Sequence, residues 1–466
     1  MTGALPGSMV RPLRALSRPV DIAPLVFFRI VGGFLMTAET VGQLVTDYSD
    51  AYTGGAMHFS YLFLPWLEPW PPVGVYAHFA FNIVSGLLVT VGLFYRAAAV
   101  AFFLGTTSLF LMEKAVYINH TYLYCLVAFL LIFMPCNRAL SLDAIRRPEI
   151  SRATAPAWCL FLLRFQMAIV YLYAGLAKLD PDWLAGMPFE VWLTRFTQYP
   201  IVGPVLSAAW TAQALSWGGL VVDLLIVPAL LLSRTRAIAF CAVATFHLPN
   251  VAMFGLGSFP WFALTMTTLF FEPETFRRLP LLSSALPVRA AASAGDDSTG
   301  GGLSRLGAGA LAAYCAVQLL VPLRGYAYPG RSVWTEEGHT FAWHMMLRAK
   351  LGGVGFTVRD PGTGQTWEEH PRDYLVTRQY RNMYDKPDLI LQFAHFLASQ
   401  YRARGHEAVE VRARALCSLN GRPRRLLVKP GVDLAAEKRT LAPYAWIAAG
   451  PAAGGSGLAR RSVDQR

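Results

Sequence analysis

The residue that most strongly suggests chemistry in this chain is a lysine at the end of a long apolar run. Lys178 follows the apolar residues 158–176 and precedes Asp180 and Asp182. In the simplest interpretation its stem lies along a membrane helix and its ammonium snorkels to the headgroups. If the amine is buried instead, desolvation favours its neutral form, which can act as a base. The segment alone leaves both interpretations open.

Polar residues also lie at two other edges of apolar segments. Asn119 and His120 precede one segment, where such a pair can cap a helix or offer an amide and an imidazole to a polar ligand. His247 and Asn250 lie near the end of another. A histidine within a membrane segment is a candidate for function, although a hydrogen-bonded structural histidine is an equally good interpretation.

Further candidates are less specific. Residues 334–348 are rich in aromatic side chains and contain Met345 and Met346, a pattern more typical of core packing than of a cofactor wall. Arg29 and Glu39, in the first apolar segment, are predicted to form a buried structural pair. The sequence shows no credible nucleotide-binding or hydrolase motif and no Cys/His metal-ligand spacing, so no metal site is predicted.

The composition is that of a membrane protein. Of the 466 residues, 54% are hydrophobic and 15% are charged. The net charge of +12 comes largely from arginines that punctuate apolar runs, which favours membrane topology over nucleic-acid binding. Arg11, Arg14 and Arg18 precede the first apolar segment, which we expect to be retained as a span.

Nine apolar segments are candidate spans, although several are short and one or two of them could be absent. They lie at about 24–45, 75–95, 97–112, 121–135, 157–176, 208–232, 236–254, 258–271 and 307–323. Arginines cluster after alternate segments, which predicts a cytoplasmic N-terminus in the cell membrane. This topology places 113–121, 177–200 and 250–258 together on the outer side.

The sequence therefore predicts a polytopic α-helical membrane protein with eight or nine spans. Residues 1–323 form the membrane domain, with a flexible cytoplasmic linker at about 284–306. Residues 324–448 are predicted to form an exoplasmic, β-rich α+β domain, and 449–466 a disordered tail. In the exoplasmic domain we expect strands at 339–347 and 354–358, a helix at 388–402 and a hairpin at Asn420-Gly421.

Five sequence blocks, in this order, resemble the vitamin K-dependent γ-glutamyl carboxylases, which belong with the wider group of HTTM membrane domains. The blocks are Phe28-Arg29, Asn119-His120-x-Tyr-Leu-Tyr124, Val170-Tyr171-x-x-Ala-Gly-x-x-Lys178-Leu-Asp-x-Asp-Trp183, Phe246-His247-x-x-Asn250 and Trp343-x-Met345-Met346. The third block is the most specific, and the resemblance extends over most of residues 20–448.

The resemblance implies an enzyme that couples O₂-dependent epoxidation of vitamin K hydroquinone to carboxylation of peptidyl glutamate with CO₂. The cofactor supplies the base, because no side chain is basic enough. Lys178 matches the family's lysine that deprotonates the hydroquinone, while Asn119 and His120 match residues that contact the quinone head or assist carboxylation. The residues expected to line the cofactor pocket are Tyr171, His247, Asn250, Met345 and Met346. The implied partners are membrane lipid and a glutamate-containing peptide, with no nucleic acid.

The chain departs from the animal members of this family. Residues 46–74 contain no cysteine, so the disulfide between the first outer loop and the soluble domain is absent, and Ala177 stands where animal enzymes have a second lysine. The soluble domain also ends early. These departures suggest a bacterial homologue and leave two alternatives open: a quinol oxygenase that carboxylates nothing, and a non-catalytic quinone- or lipid-binding protein.

Overall fold

The computed structural model describes residues 14–283, 286–287 and 303–454. The helices of its membrane part are α1 (Ala23–Leu44), α2 (Pro72–Val91), α3 (Tyr95–Met112), α4 (Asn119–Phe133), α5 (Ala157–Ala177), α6 (Thr211–Leu231), α7 (Arg236–Phe254), α8 (Phe259–Thr268) and α9 (Arg305–Leu320). Within the described ranges seven helices are long and apolar enough to cross a membrane, namely all but α4 and α8, with α9 continuing to Ala327. The predicted polytopic helical membrane protein is confirmed.

Two of the predicted spans are shorter than expected. The α4 helix has 15 residues, and α8, in the predicted span 258–271, has 10. At about 1.5 Å per residue α8 is only about 15 Å long, half the thickness of the hydrocarbon core. Gly255 and Gly257, both with positive φ, turn the chain just before α8. The helix therefore starts only at Phe259, and it ends at Thr268, before the predicted span does.

Arg29 does not form the predicted pair with Glu39. The two residues are ten positions apart on α1, which separates them by about 15 Å along the axis. Instead, the buried guanidinium of Arg29 donates to the carbonyl oxygens of Cys136 at 2.9 Å and Thr90 at 3.3 Å, and also to that of Leu140. The guanidinium thus provides hydrogen-bond donors to backbone carbonyl groups at helix ends and in a loop, inside an apolar bundle where water is not at hand.

The C-terminal part is an antiparallel sheet covered by helices. Its strands are β3 (Lys350–Arg359), β4 (Thr366–Glu369), β5 (Glu410–Leu419) and β6 (Arg425–Leu426), in the order β4-β3-β5-β6, while β1 (Pro19–Asp21) and β2 (Thr154–Pro156) pair beneath the membrane helices. Helices α10 (Thr377–Met383) and α11 (Pro387–Ala403) complete it. The predicted helix at 388–402, the strand at 354–358 and the turn at Asn420-Gly421 are all present, the turn residues having φ of 52° and 75°.

The predicted strand at 339–347 is wrong. Phe341, Trp343 and Met346 have φ of 62°, 59° and 50°, so the backbone turns repeatedly and cannot extend. The turns carry Trp343 into the hydrophobic core of the membrane helices, where it stacks on Tyr122 at 4.8 Å. This segment is therefore a loop inserted between the two parts of the protein.

Part of the predicted disordered tail is also wrong. Residues 449–454 pack against the protein: Gly450 lies so close to Trp334 that a Cβ would approach the ring to 2.7 Å, and the Gly454 N–H donates to Asp182 at 3.0 Å. Residues 455–466, and the predicted linker up to residue 302 apart from 286–287, lie outside the described residues. Within the predicted linker, residues 305 and 306 begin α9, which Ser304 caps.

Ion pairs fix the C-terminal part above the end of α5. The Asp182 carboxylate accepts two hydrogen bonds of 2.7 Å from Arg422 and one of 3.1 Å from Asn420, while Asp180 pairs with Arg331 at 2.7 Å. All of these groups are at least partly buried. The two aspartates that follow Lys178 thus dock the C-terminal part over the lysine.

Polar contacts, without a disulfide, attach the segments between α1 and α2 and between α3 and α4 to the C-terminal part. Ser60 accepts at its carbonyl from Arg439 at 2.9 Å and donates its N–H to Gln392 at 2.9 Å. Lys114 pairs with Asp388 at 2.6 Å. All six cysteines of the chain are free thiols. Hydrogen bonds and an ion pair, and no disulfide, therefore make these contacts with the C-terminal part.

Candidate functional site

Lys178 is buried and does not reach the surface of the protein. It caps the C-terminus of α5, and its Nζ lies 2.5 Å from the Asp223 Oδ2 of α6, with side chains 5% and 4% exposed. The ammonium also lies 5.0 Å from the centre of the Trp183 ring. Gly175 makes the pairing possible, because a Cβ there would meet Leu224 on α6 at 2.6 Å. The geometry of a snorkelling lysine is therefore not observed.

Asp223 is a residue that the sequence analysis missed. It lies in the middle of an apolar span, and the rarity of such carboxylates could have revealed it. It gives the buried Lys178 a side-chain partner of opposite charge. The pair carries no net charge either as ammonium and carboxylate or as amine and carboxylic acid, which allows it to be buried as a unit.

Tyr171 and His247 form a second buried contact close to this pair. Tyr171 lies two turns before Lys178 on α5, and its hydroxyl is 3.0 Å from the His247 Nε2 of α7. The other imidazole nitrogen, Nδ1, is buried and has no hydrogen-bond partner among the described residues. An unpartnered buried nitrogen of this kind is what a bound polar ligand would satisfy.

Gly219 explains how the lysine and the histidine come close to one another. A Cβ built on this residue of α6 would lie 3.4 Å from Trp183, 3.6 Å from Phe246 and 4.0 Å from the Cε of Lys178. Two side chains therefore pack near the same glycine of α6: Lys178, at the end of α5, and Phe246, which precedes His247 on α7. The helices leave space at this position that any larger residue would fill.

His120 reaches the same region from the other side of Phe259. Its ring stacks on Phe259 with centroids 5.5 Å apart, and His247 meets the same phenyl ring edge-on at 5.8 Å. The His120 Nε2 lies 3.3 Å from the Glu39 Oε1, and the other Glu39 oxygen accepts from the Ser258 hydroxyl at 2.7 Å. Glu39, which the sequence assigned to Arg29, instead orients the histidine.

The inserted loop of the C-terminal part closes the site above Asn119. The Asn119 amide donates to the His344 carbonyl at 3.0 Å and accepts from the Tyr117 hydroxyl at 2.9 Å. The Phe341 N–H in turn donates to the Tyr117 hydroxyl at 2.7 Å. Asn119 therefore joins α4 to the loop that contains Met345 and Met346.

Not all of the predicted site residues come together. Met345 is half-buried against the core of the membrane helices, but Met346 is 36% exposed. Asn250 lies one turn beyond His247 on α7, and its side chain makes no hydrogen bond within the described part of the chain. The residues that converge in the structure are Lys178, Tyr171, His247 and His120.

Two histidines above the site are held in a neutral form. Burial, reinforced by the neighbouring cations Arg348 and Arg324, lowers the pKa of His344 to about 4. Burial also lowers the pKa of His339 well below its usual value, and the two rings meet edge-on with centroids 5.0 Å apart. The loop over the site thus avoids adding positive charge next to the arginines.

A cavity of about 500 Å³ lies between the segment that joins α1 to α2 and the C-terminal part. Its lining contains three cations, Lys114, Arg324 and Lys386, and three carboxylates, Glu336, Glu337 and Asp388. Burial lowers the pKa of Lys386. The cavity reaches Tyr117, whose hydroxyl donates to Asn119. It therefore connects the outer surface with the edge of the site.

The fold and the site define a class of membrane protein, and comparison with known families identifies it. Residues 17–274, more than half of the chain, match the HTTM domain family. Residues 303–452 match the lumenal domain of vitamin K-dependent gamma-carboxylase. The chain therefore belongs to the HTTM family and is a gamma-carboxylase-like membrane protein, as the sequence blocks indicated. No solved structure matches the chain.

Proposed function

We propose that the protein couples O₂-dependent epoxidation of vitamin K hydroquinone to the carboxylation of peptidyl glutamate with CO₂. The observation that carries this proposal is the buried Lys178–Asp223 pair, which lies on the same group of helices as Tyr171, His247 and His120. A gamma-carboxylase lumenal domain covers these residues. The family matches support a carboxylase-like activity, and the cofactor and the coupling are our proposal.

The residues present suit a planar, apolar ring with polar oxygens. Phe246 and Phe259 both lie edge-on to His247, whose buried Nδ1 has no partner among the described residues. Tyr171, His247, Asn119 and Met345 would hold the ring. When bound, the hydroquinone together with O₂ supplies the strong base that removes the glutamate γ-proton.

Lys178 and Asp223 handle the first proton. With Oδ2 only 2.5 Å from Nζ, a proton can pass from the ammonium to the carboxylate, which leaves a neutral amine with a free lone pair. That amine can accept a proton at Nζ from an acidic hydroxyl held next to it. Asp223 then stores the proton that Lys178 gave up, and no bulk water is needed.

His120 is oriented for a separate role on the far side of Phe259. Its Nε2 shares a hydrogen bond with Glu39, so Nδ1 is the nitrogen that is free to face a substrate. Glu39 is itself fixed by two donors from Ser258, the N–H at 3.1 Å and the hydroxyl at 2.7 Å. This fixed orientation suits an imidazole that assists the carboxylation step.

The cavity between the two parts of the protein offers a route for the peptide. Lys114 is paired with Asp388, but Arg324 has no carboxylate partner among the described residues and can pair with a glutamate side chain. Tyr117 lies where the cavity meets the Asn119 edge of the site. A peptide lying in the cavity would direct a glutamate towards the membrane helices. We propose this as the path of the acceptor.

The test uses detergent-purified full-length protein with reduced vitamin K, O₂, labelled bicarbonate and a glutamate-rich peptide. Epoxide and peptide-bound label are scored separately for wild type, Lys178→Ala and the matched control Lys438→Ala, an exposed lysine of the C-terminal part. We expect both products from wild type and control and neither from Lys178→Ala. Epoxide without label would indicate a quinol oxygenase, and the absence of both products from wild type would indicate a binding protein.

A further inference from the structure

A second cavity, of about 330 Å³, lies at the opposite end of the membrane helices from the C-terminal part. It is formed where α3 begins and where the chain leaves α4. Its lining residues are Arg96, Pro135, Asn137, Arg138, Arg147, Glu149, Ile150 and Arg152. Four guanidinium groups and one carboxylate therefore face one cavity.

Among the described residues, none of these four arginines forms an ion pair within 4.0 Å of a carboxylate. Glu149 lies within 4.0 Å of no cation in the described part of the chain. Arg152 donates to the carbonyl oxygens of Glu149 at 2.9 Å and Ser151 at 2.7 Å, and Arg96 donates to the Ile132 carbonyl. These partners orient the guanidinium groups but supply no counter-charge. The half-buried Arg138 makes no side-chain hydrogen bond or ion pair among the described residues.

The backbone that carries the arginines is fixed before any ligand arrives. The Arg152 N–H donates to the Arg138 carbonyl at 3.0 Å. Asp143 accepts from the Tyr95 N–H at 2.9 Å and from the Asn137 amide at 2.9 Å, which ties the start of α3 to the loop after α4. Binding at such a preformed site costs little ordering of the protein.

The surroundings place this cavity at the edge of the apolar belt. Phe94, Phe133, Leu142 and Ile145 are exposed near it, with exposed fractions of 57%, 54%, 40% and 74%. Apolar side chains next to arginines mark the level at which lipid headgroups meet the acyl chains. An anion that carries its own acyl chains would satisfy both features.

The positive-inside rule alone explains arginines on this side of the membrane. It does not require four of them to face one cavity. Arg234 and Arg278 lie at the same end of the helices, are exposed, and do not line the cavity. Substituting Arg234 and Arg278 therefore removes two positive charges from the same end of the helices without changing the cavity, which makes it a matched control.

We propose that this arginine cavity binds a phosphate group, which an anionic phospholipid headgroup supplies. Guanidinium groups bind phosphate oxygens through pairs of charge-assisted hydrogen bonds. An anionic headgroup is favoured over a zwitterionic one, because the zwitterionic headgroup would also bring its own positive charge next to the arginines. The site is separate from the Lys178 site, so its occupancy does not depend on the proposed carboxylase activity.

The test compares phosphatidylglycerol with phosphatidylcholine, by native mass spectrometry of the full-length, delipidated protein. Inorganic phosphate is added in a separate arm as a competitor. The variants are Arg138→Gln/Arg147→Gln and the control Arg234→Gln/Arg278→Gln. Neither Arg138 nor Arg147 makes a side-chain hydrogen bond within the described ranges, so their loss leaves the local fold in place.

We expect wild type and the control variant to retain phosphatidylglycerol about tenfold better than phosphatidylcholine, and the cavity variant to lose this preference. If inorganic phosphate displaces phosphatidylglycerol, the phosphate chemistry is supported. If the protein binds inorganic phosphate but not phosphatidylglycerol, and the cavity variant loses that binding, the cavity is a phosphate site whose ligand comes from solution and not from a lipid. Equal binding by both double variants would overturn the proposal, because it would show general charge attraction. Absence of any preference in wild type would overturn it as well.

Discussion

The Lys178 Nζ lies 2.5 Å from the Asp223 Oδ2 in the interior of the protein, at the junction of α5 and α6. Breaking a buried pair of this kind leaves one charge without a partner, which is costlier than losing both. Lys178 therefore depends on Asp223 in either protonation state. This relationship gives the first of five expectations.

Asp223→Asn should reduce epoxide formation by about 10²-fold or more, because it removes the group that exchanges a proton with Lys178. The double variant Lys178→Ala/Asp223→Asn should be no worse than Lys178→Ala alone, since residues that act as a unit are not additive. Turnover of all three variants is compared at equal amounts of folded protein. Additive losses would show that the two residues act independently.

Glu39→Gln should lower the ratio of carboxylated peptide to epoxide, because the amide holds His120 and Ser258 less firmly than the carboxylate does. The side chain keeps its size, so the unfolding midpoint should change little. Dual-product turnover measures the ratio. An unchanged ratio together with a large drop in thermal stability would make Glu39 a structural residue only.

Asp182→Asn should loosen the C-terminal part from the membrane helices. The variant removes the buried carboxylate that pairs with Arg422 at 2.7 Å and with Arg331 at 3.0 Å, and breaking a buried ion pair costs about 3–5 kcal/mol. The matched control Glu410→Gln removes a carboxylate from the more exposed pair with Arg412 and should cost less than about 1 kcal/mol. Thermal unfolding and limited proteolysis between α9 and β3 measure the difference.

The same pair should respond to acid in a defined window. Although burial opposes it, hydrogen bonding from Arg422 and the charge of Arg331 lower the pKa of Asp182 from 3.8 to about 2. A lowered carboxyl pKa contributes stability that is complete above 3.8 and is lost as the pH falls from 3.8 to about 2. Asp182→Asn should abolish this part of the acid sensitivity, and Glu410→Gln should leave it.

His344 should make the C-terminal part less stable in mild acid. Its pKa is about 4 in the folded protein against 6.5 for an ordinary histidine. Between these values only the unfolded state binds the proton, so stability falls as the pH is lowered from 6.5 to 4, by up to about 1.4 kcal/mol per pH unit. His344→Gln should reduce this slope, measured by unfolding at several pH values. The exposed His370→Gln is the control, and equal slopes in both variants would contradict the expectation.

The membrane part was predictable because its signals are local. Apolar length and the positions of arginine indicate helices, and the Ala-Gly-x-x-Lys-Leu-Asp-x-Asp-Trp block at 174–183 indicates the family. Helix α11 and the Asn420-Gly421 turn were predictable for the same reason, since periodicity and left-handed turn residues act over a few positions. The loop at 339–347 was not, because its positive φ values are imposed by packing against α4.

The sequence by itself determined which residues are chemically capable, and the tertiary structure decided their partners. Lys178, His120 and His247 were found from residue type and position, yet Asp223, Glu39 and Ser258 became meaningful only when α6, α1 and the turn before α8 were brought beside them. The physical reason is that an ion pair or a hydrogen bond depends on a few ångströms between side chains. Residues 45 or 81 positions apart reach that distance only through packing, which no local pattern encodes.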